Sequence, residues 1–347
     1  MQAGASASRC DCRPTRVEGS TVRIWVPYSE FVADVEALSP AIGVDVYTGD
    51  GVVPASIADV EFFVAPYATT AEALGVTARM PRLKVLQTLS AGYEHALPYR
   101  PAGVTLCNAR GVHDASTAEL AMALILASLR HIPEFVRARE RHEWLGREYP
   151  ALADKHVLIV GYGSIGAALD RRLVPFETTI TKVARRPRPG EGVHGVADLP
   201  RLLPAADVVV LITPLTPRTR HLVDADFLAR MKTGALLVNI ARGGVVDTEA
   251  LLAALRAGRI TAALDVTDPE PLPSDHPLWG APGLLISPHV GGDSSAFLPR
   301  ARRLVREQIA RYVRGEPLEN VVVSPDTPAA VPSVKSTFGS HSSKEFQ

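Results

Sequence analysis

Residues 156–173 read HVLIVGYGSIGAALDRRL. The apolar run His156–Val160 predicts a buried strand. It breaks at Gly161-Tyr-Gly163-Ser164-Ile165-Gly166, and a helix-like segment follows to Leu173. Each glycine has a physical task. Gly161 permits the tight turn, Gly163 lets the backbone come close to a pyrophosphate, and Gly166 lets helix and strand pack closely. The helix N-terminus offers unpaired N–H groups to phosphates. The whole turn, Ser164 and Ile165 included, is therefore a candidate dinucleotide site. A glycine-rich turn with no ligand is the competing reading. A strand ahead, a helix behind and a place early in a strand–helix series weigh against it.

On both sides of this stretch, short apolar runs alternate with helical segments. Val22–Val26, Glu61–Ala65 and Lys84–Thr88 read as strands, with Phe31–Leu38 and Ala71–Ala78 as helices. A second series has strands at His156–Val160, Thr179–Ala184, Val208–Thr213, Ala235–Ile240 and Thr261–Val266, and Leu284–Ser287 as a further candidate. Between them lie Ile165–Leu173, Leu199–Leu203, Asp224–Met231 and Thr248–Arg256. This alternation predicts parallel sheets covered by helices. Two series predict an α/β protein of two Rossmann-like domains with a cleft between them. The boundary is expected near a long apolar helix starting around Ser116, with Ser116 or Thr117 as cap and Glu119 in its first turn. A last amphipathic helix, Ala296 to Tyr312, permits a return to the first domain. The expected division is 21–115 plus 300–323 for a substrate-binding domain and 116–299 for a dinucleotide-binding domain. Residues 1–20 and 324–347 read as disordered extensions, small and polar at one end and rich in Pro and Ser at the other.

The bulk numbers narrow the function. The chain has 347 residues, 46% of them hydrophobic, which suits about two domains. It carries 37 basic and 37 acidic residues, so nothing in its charge predicts a grip on nucleic acid or an anionic membrane. The longest apolar stretches, such as Leu120 to Leu129, fall short of the roughly 20 residues that span a bilayer. The N-terminus has no apolar core of a secretory signal. Three cysteines, Cys10, Cys12 and Cys107, cannot build a disulfide framework, which suggests a reducing, cytoplasmic setting. Cys10 and Cys12 invite a metal reading, but no second ligand cluster follows at suitable spacing, so no metal is expected.

The segment after the second strand of the later series reads TKVARRPR, residues 181–188. Dinucleotide folds usually place an acid about 20 residues beyond the glycine turn to hold the ribose 2′-hydroxyl. Here no acid appears until Glu191, and Arg185 and Arg186 stand in its place. A guanidinium can pair with a 2′-phosphate, which a carboxylate would repel. The expectation is NADP(H) in preference to NAD(H). A solvated basic loop is the alternative.

Three later segments each place one reactive residue after an apolar run: LLVNIARGGVVD with Arg242, AALDVTDPEPLP with Glu270, and LLISPHVGG with His289. In open parallel sheets, ligands sit beyond the carboxyl ends of strands. The residue types fit reduction of a 2-keto acid. Histidine can give the carbonyl oxygen a proton near neutral pH. Glu270 beside it would stabilise the imidazolium. Arg242 can hold the substrate carboxylate and polarise the carbonyl. Any one of these alone could be an ordinary surface residue. The remaining histidines keep that bland reading, His113 least safely, since GVHDAST leads toward the expected cleft.

These motifs, with PLTPRTRHLV and LSAGYEH, resemble the D-isomer-specific 2-hydroxyacid dehydrogenase family, over about Val22 to Val323. The resemblance implies that Arg242, Glu270 and His289 are catalytic. It also implies that the backbone of Ala91, Gly92 and Tyr93 binds the substrate carboxylate. Thr213, Pro214, Ile240, Ala241 and Asp265 would line the cofactor, with Asp265 near the nicotinamide carboxamide. It implies a homodimer, with Arg137 to Trp144 at or near its interface. Three departures stand out. The acid after the second strand is missing. Tyr93-Glu94 stands where Asp or Asn often follows the glycine. Glu177 occupies a place where a turn glycine is common.

Within this resemblance, a glyoxylate or hydroxypyruvate type of keto-acid reductase leads. A formate-dehydrogenase-like enzyme is the second reading. That branch carries glutamine where this chain has Glu270, which argues against it. A dinucleotide-sensing corepressor-like protein is the third, because fold alone never settles function.

Overall fold

The computed structural model describes residues 21–67 and 69–327. Cys10, Cys12 and the expected extension at 1–20 lie outside the described residues. The expected tail from Ser324 is described only to Thr327, whose carbonyl accepts a hydrogen bond from the buried Arg100. The chain divides into two compact units, 21–109 with 300–327, and 110–299.

In the first unit the elements run β1 (Val22–Val26), α1 (Val32–Glu36), β2 (Ile42–Val46), β3 (Val60–Val64), α2 (Ala71–Gly75), β4 (Val85–Gln87) and β5 (Thr105–Cys107). The second unit holds α3 (Asp114–Leu129), α4 (Ile132–Glu140), β6 (His156–Val160), α5 (Ser164–Leu173), β7 (Thr179–Ala184), β8 (Val193–Gly195) and α6 (Leu199–Leu202). It continues through β9 (Val208–Leu211), α7 (Ala225–Arg230), β10 (Leu236–Asn239), α8 (Thr248–Arg256), β11 (Thr261–Leu264) and β12 (Leu284–Ile286). The chain then returns to the first unit with α9 (Phe297–Arg314) and β13 (Val321–Val323).

The first sheet has the order β13-β5-β4-β3-β1-β2, parallel throughout except that β13 pairs antiparallel with β5. That edge departs from the all-parallel expectation. The strands are buried on both faces, as parallel strands covered by helices must be: Ile24, Trp25, Phe62 and Phe63 are fully buried. Trp25 packs edge-on against Phe63 and donates to the Ser56 hydroxyl.

The second sheet has the order β12-β11-β10-β9-β6-β7-β8, and every pair in it is parallel. The order reverses between β6 and β9. Ligands of doubly wound sheets bind beyond the strand ends at such a reversal. Gly161 follows β6 there, and Ile212-Thr213 follows β9.

The helix expected from Ser116 begins at Asp114, with His113 at its N-cap, so the boundary falls ahead of it, at 109/110. Ser116 and Thr117 are not caps. Both are buried inside the helix, and their hydroxyls serve other contacts: Ser116 donates to His113 O, and Thr117 donates to Gly291 O. The first-turn acid is Asp114 rather than Glu119. His113 is buried and stacks on Phe297 at 5.4 Å. Among the described residues no single helix is long and apolar enough to cross a membrane; α3 and α4 reach that length only as a pair bent by 61°.

Glu177 adopts φ +59°, in the left-handed region. That accounts for the glycine common at this place, since a Cβ there costs roughly 1 kcal/mol or more. Its side chain is exposed. Glu177→Gly should therefore raise stability by about 0.5–1 kcal/mol, after the greater unfolded-state freedom of glycine is offset. A thermal melt that stays put or falls would contradict this.

Candidate active site

The glycine turn is built by close approach. Gly161 has φ +112°, and a Cβ on it would lie 2.5 Å from the Ile212 carbonyl carbon. Any side chain would push β6 and β9 apart at the sheet reversal. A Cβ on Gly166 would lie 2.9 Å from Gly161 O, so α5 sits against the turn only because that position is bare. Gly163 differs: a Cβ there would meet nothing within 4 Å. Its small size serves no contact inside the protein and leaves the turn open to a group from outside. Beside Gly161, the Thr213 hydroxyl is buried without a hydrogen-bond partner. An orphaned donor and an open glycine at a helix N-terminus are what a bound dinucleotide requires, and the residues fit such a cofactor. Ser164 donates to Asp114 Oδ1, which ties the start of α5 to the start of α3. Ile165 is half-buried, and Pro214 is exposed with its carbonyl accepting from Thr219.

Arg185 and Arg186 follow β7 and are exposed, and among the described residues neither has an ion-pair or hydrogen-bond partner. Glu191, the first acid after the strand, is taken up by Arg188, whose Nε donates to it at 2.8 Å. Arg188 also donates to the Tyr162 carbonyl in the glycine turn.

Arg242, Glu270 and His289 follow β10, β11 and β12, three adjacent parallel strands, so they share one sheet edge with the glycine turn. Ile240 and Ala241 are buried and lead into Arg242. The fully buried Asn239 fixes this exit: its amide donates to Arg242 O, and its Oδ1 accepts from Ala241 N. His289 Nδ1 is hydrogen-bonded to Glu270 Oε1. Burial resists ionisation of Glu270. The His289 bond and charge, a Thr267 backbone donor and the nearby Arg242 guanidinium outweigh it and hold the carboxyl below its usual range. Glu270 is thus an anion at neutral pH, and the other imidazole nitrogen of His289 remains for proton exchange. Pro271, Leu272, Trp279 and Ile286 wall a pocket that Glu270 and His289 also line.

Asp265 is 3% exposed and holds the His289 loop. Its Oδ1 accepts from Ser287 Oγ and Val290 N, its Oδ2 accepts from Gly291 N, and its carbonyl accepts from His289 N. His289 itself has φ +52°. The carboxylate expected beside a cofactor therefore has internal partners on both oxygens.

In the first unit, Ala91, Gly92 and Tyr93 form a partly exposed turn after β4. Among the described residues, none of their three N–H groups has an acceptor. The turn can hold an anion through its backbone. Sequence reasoning passed over Asn239, as it did Asn108 near this turn. Each is a lone polar residue at the end of an apolar strand, and that was the available signal.

The family model described as D-isomer specific 2-hydroxyacid dehydrogenase, NAD binding domain, matches residues 122–291. A D-3-phosphoglycerate dehydrogenase of Methanocaldococcus jannaschii is 37% identical over 233 residues, 65% of this chain and 44% of that protein. A human glyoxylate reductase/hydroxypyruvate reductase is 35% identical over 249 residues, 68% of this chain and 76% of that protein. Among solved structures, a D-isomer specific 2-hydroxyacid dehydrogenase from Xanthobacter autotrophicus Py2, in complex with NADPH and MES, matches with a TM-score of 0.75 and 32% identity. That match covers 88% of this chain and 98% of the other.

Proposed function

Because the chain belongs to the D-isomer specific 2-hydroxyacid dehydrogenase family, we propose that it is an NAD(P)-dependent oxidoreductase that reduces a small 2-keto acid to a D-2-hydroxy acid. The observation that carries this reading is the His289–Glu270 pair with the Arg242 charge beside it, on the sheet edge that bears the GYGSIG turn. Nicotinamide, when bound, supplies the hydride. His289 gives the developing alkoxide its proton, and in the reverse direction it takes that proton back. Glu270 stabilises the imidazolium and fixes the ring by its bond to Nδ1. Arg242 pairs with the substrate carboxylate and polarises the carbonyl. In the first unit, the amides of Ala91, Gly92 and Tyr93, without acceptors among the described residues, offer donors for a carboxylate. On this reading the first unit binds substrate and the second binds the dinucleotide. Gly161, Gly163, Ser164, Ile165 and Gly166 take the pyrophosphate. Thr213, Pro214, Ile240, Ala241 and Asp265 lie toward the nicotinamide. Glyoxylate and hydroxypyruvate are the substrates to try first, given the human relative. Glu270, as a carboxylate, disfavours the formate-dehydrogenase-like alternative.

NADPH is the preferred cofactor on this reading. Among the described residues Arg185 and Arg186 have no internal partner, while Glu191, the first acid after the strand, is paired with Arg188. The related Xanthobacter structure holds NADPH. Changing Arg185 and Arg186 to Ser should lower kcat/KM with NADPH by about 10–100-fold and change NADH use by less than about threefold. Equal losses with both cofactors would remove the 2′-phosphate assignment.

The active form is a homodimer built through the second unit. Ile132, Val136 and Trp144, at and after α4, are exposed, with Trp144 at 96%. Apolar side chains left in water at this density mark an interface, and the segment includes the expected 137–144 contact. Sedimentation at the mass of one 37.1 kDa chain would refute this. A cytoplasmic setting accords with Cys107, a buried free thiol pushed up to about 12 by burial.

A further inference from the structure

Three consecutive backbone amides can bind a carboxylate only if their peptide planes are held with the N–H groups outward. A trans peptide is planar, with its C=O and the following N–H on opposite sides. Fixing a carbonyl inward therefore aims the next residue's N–H the other way. Among the described residues the cis bonds are at Asp268–Pro269 and Glu270–Pro271, so the turn at 90–93 is trans throughout.

Each carbonyl in that turn is tethered. Ser90 O accepts from Ala109 N at 2.9 Å, which aims the Ala91 N–H. Gly92 O accepts from Ser90 Oγ at 2.6 Å, which aims the Tyr93 N–H. The middle peptide is held by a side chain from another strand end: Asn108 Nδ2 donates to Ala91 O at 2.7 Å, which aims the Gly92 N–H. Asn108 is 8% exposed and is itself fixed through its backbone. Its N–H donates to Asn320 O, and its carbonyl accepts from Gln87 Nε2. Gln87, fully buried, accepts in turn from the fully buried Gln308 on α9. The returning helix, β4 and the loop after β5 are thus joined by hydrogen bonds that end on the middle peptide of the turn.

We propose that Asn108 is a positioning residue for substrate binding: it holds the Ala91–Gly92 peptide so that the Gly92 N–H faces the substrate carboxylate. This rests on the carboxylate-binding reading of residues 91–93. Without the amide donor, the Ala91 carbonyl loses its partner and the peptide gains freedom to rotate. The bound carboxylate then loses one aimed donor, while proton exchange at His289 keeps its groups.

The test uses the full-length protein with glyoxylate as substrate and NADPH as cofactor, comparing wild type with Asn108→Ala and Asn108→Asp. Alanine removes the donor. Aspartate keeps the shape, so it guards against a folding failure, and it can donate only when protonated. KM for glyoxylate should rise about tenfold or more in both variants at pH 8, the cost of about one hydrogen bond. Over the same series, kcat should stay within about threefold, because the lost contact is made equally in ground and transition states. NADPH affinity, read by fluorescence titration, should not change. As pH is lowered, the KM of Asn108→Asp should return toward wild type while that of Asn108→Ala does not, a rescue that a purely structural role would not produce. Unchanged KM in a folded variant, or parallel loss of kcat and NADPH affinity, would overturn the proposal. Absence of glyoxylate turnover in wild type would instead remove the carboxylate reading and this proposal with it, and the wild-type arm alone reveals that case.

Discussion

Replacing His289 by alanine should lower kcat for keto-acid reduction by about 10²–10⁴-fold, the usual contribution of a positioned general acid. NADPH affinity should survive, because the glycine turn and Thr213 belong to other loops. The comparison is direct: decay of NADPH absorbance with glyoxylate and hydroxypyruvate, wild type beside variant, with nucleotide binding measured separately. A variant that keeps wild-type turnover would exclude His289 as the proton donor. Binding of NADPH by a wild type that turns over no keto acid would favour the dinucleotide-sensing alternative. Glu270 provides a finer test, since its carboxylate holds the His289 ring through Nδ1. Glu270→Gln removes that negative charge, so kcat should fall while NADPH affinity holds, and an unchanged kcat would contradict the pairing. The stability sign is also fixed. The folded-state carboxyl lies below its ordinary range, so its contribution is full above the usual glutamate pKa of about 4.3 and is lost as pH falls through the lower folded value.

The parts legible in the sequence share one property: the signal lies within a single stretch. The run from His156 through Gly166 carries its own strand, turn and helix. Arg242, Glu270 and His289 each follow an apolar strand closely enough for their common edge to be inferred. β5 and β13, at three residues each, gave no such signal, unlike β4 and β12, which lie inside the apolar runs at 84–88 and 284–287. The start of α3 was misplaced for a different reason. Ser116 and Thr117 have the chemistry of caps, but Thr117 is used by Gly291, a residue far along the chain. The positions of Asn239, Asn108 and Asp265 at strand ends were visible, but the bonds they make were not. What each does is defined by a partner that only the folded backbone supplies.

Gly243→Ala should be the most damaging single-methyl change in the site. Its reason is space alone, since Gly243 is not among the positive-φ residues. A Cβ there would lie 1.8 Å from the Thr267 carbonyl oxygen and 2.1 Å from its carbon, where no real Cβ is found. The obstacle is backbone, so it cannot rotate aside. The two loops that would collide carry the residues of the proposed mechanism: Gly243 follows Arg242, and Thr267 precedes Glu270. A Thr267 backbone donor supports the Glu270 carboxylate, and Thr267 Oγ1 donates to Pro269 O, so displacing Thr267 displaces Glu270. Overpacking of this kind costs about 3 kcal/mol. A shift near 1 Å in a catalytic group costs about 100-fold in rate. The variant should melt lower and, where still folded, lose about 100-fold in kcat/KM. Gly244→Ala is the matched control. Its Cβ would stand 3.2 Å from Asp268 Oδ2, the end of a half-exposed side chain that can move, so its effect should be small. If the two variants behaved alike, the close contact between the Arg242 and Glu270 loops would not be what sets the spacing of the site.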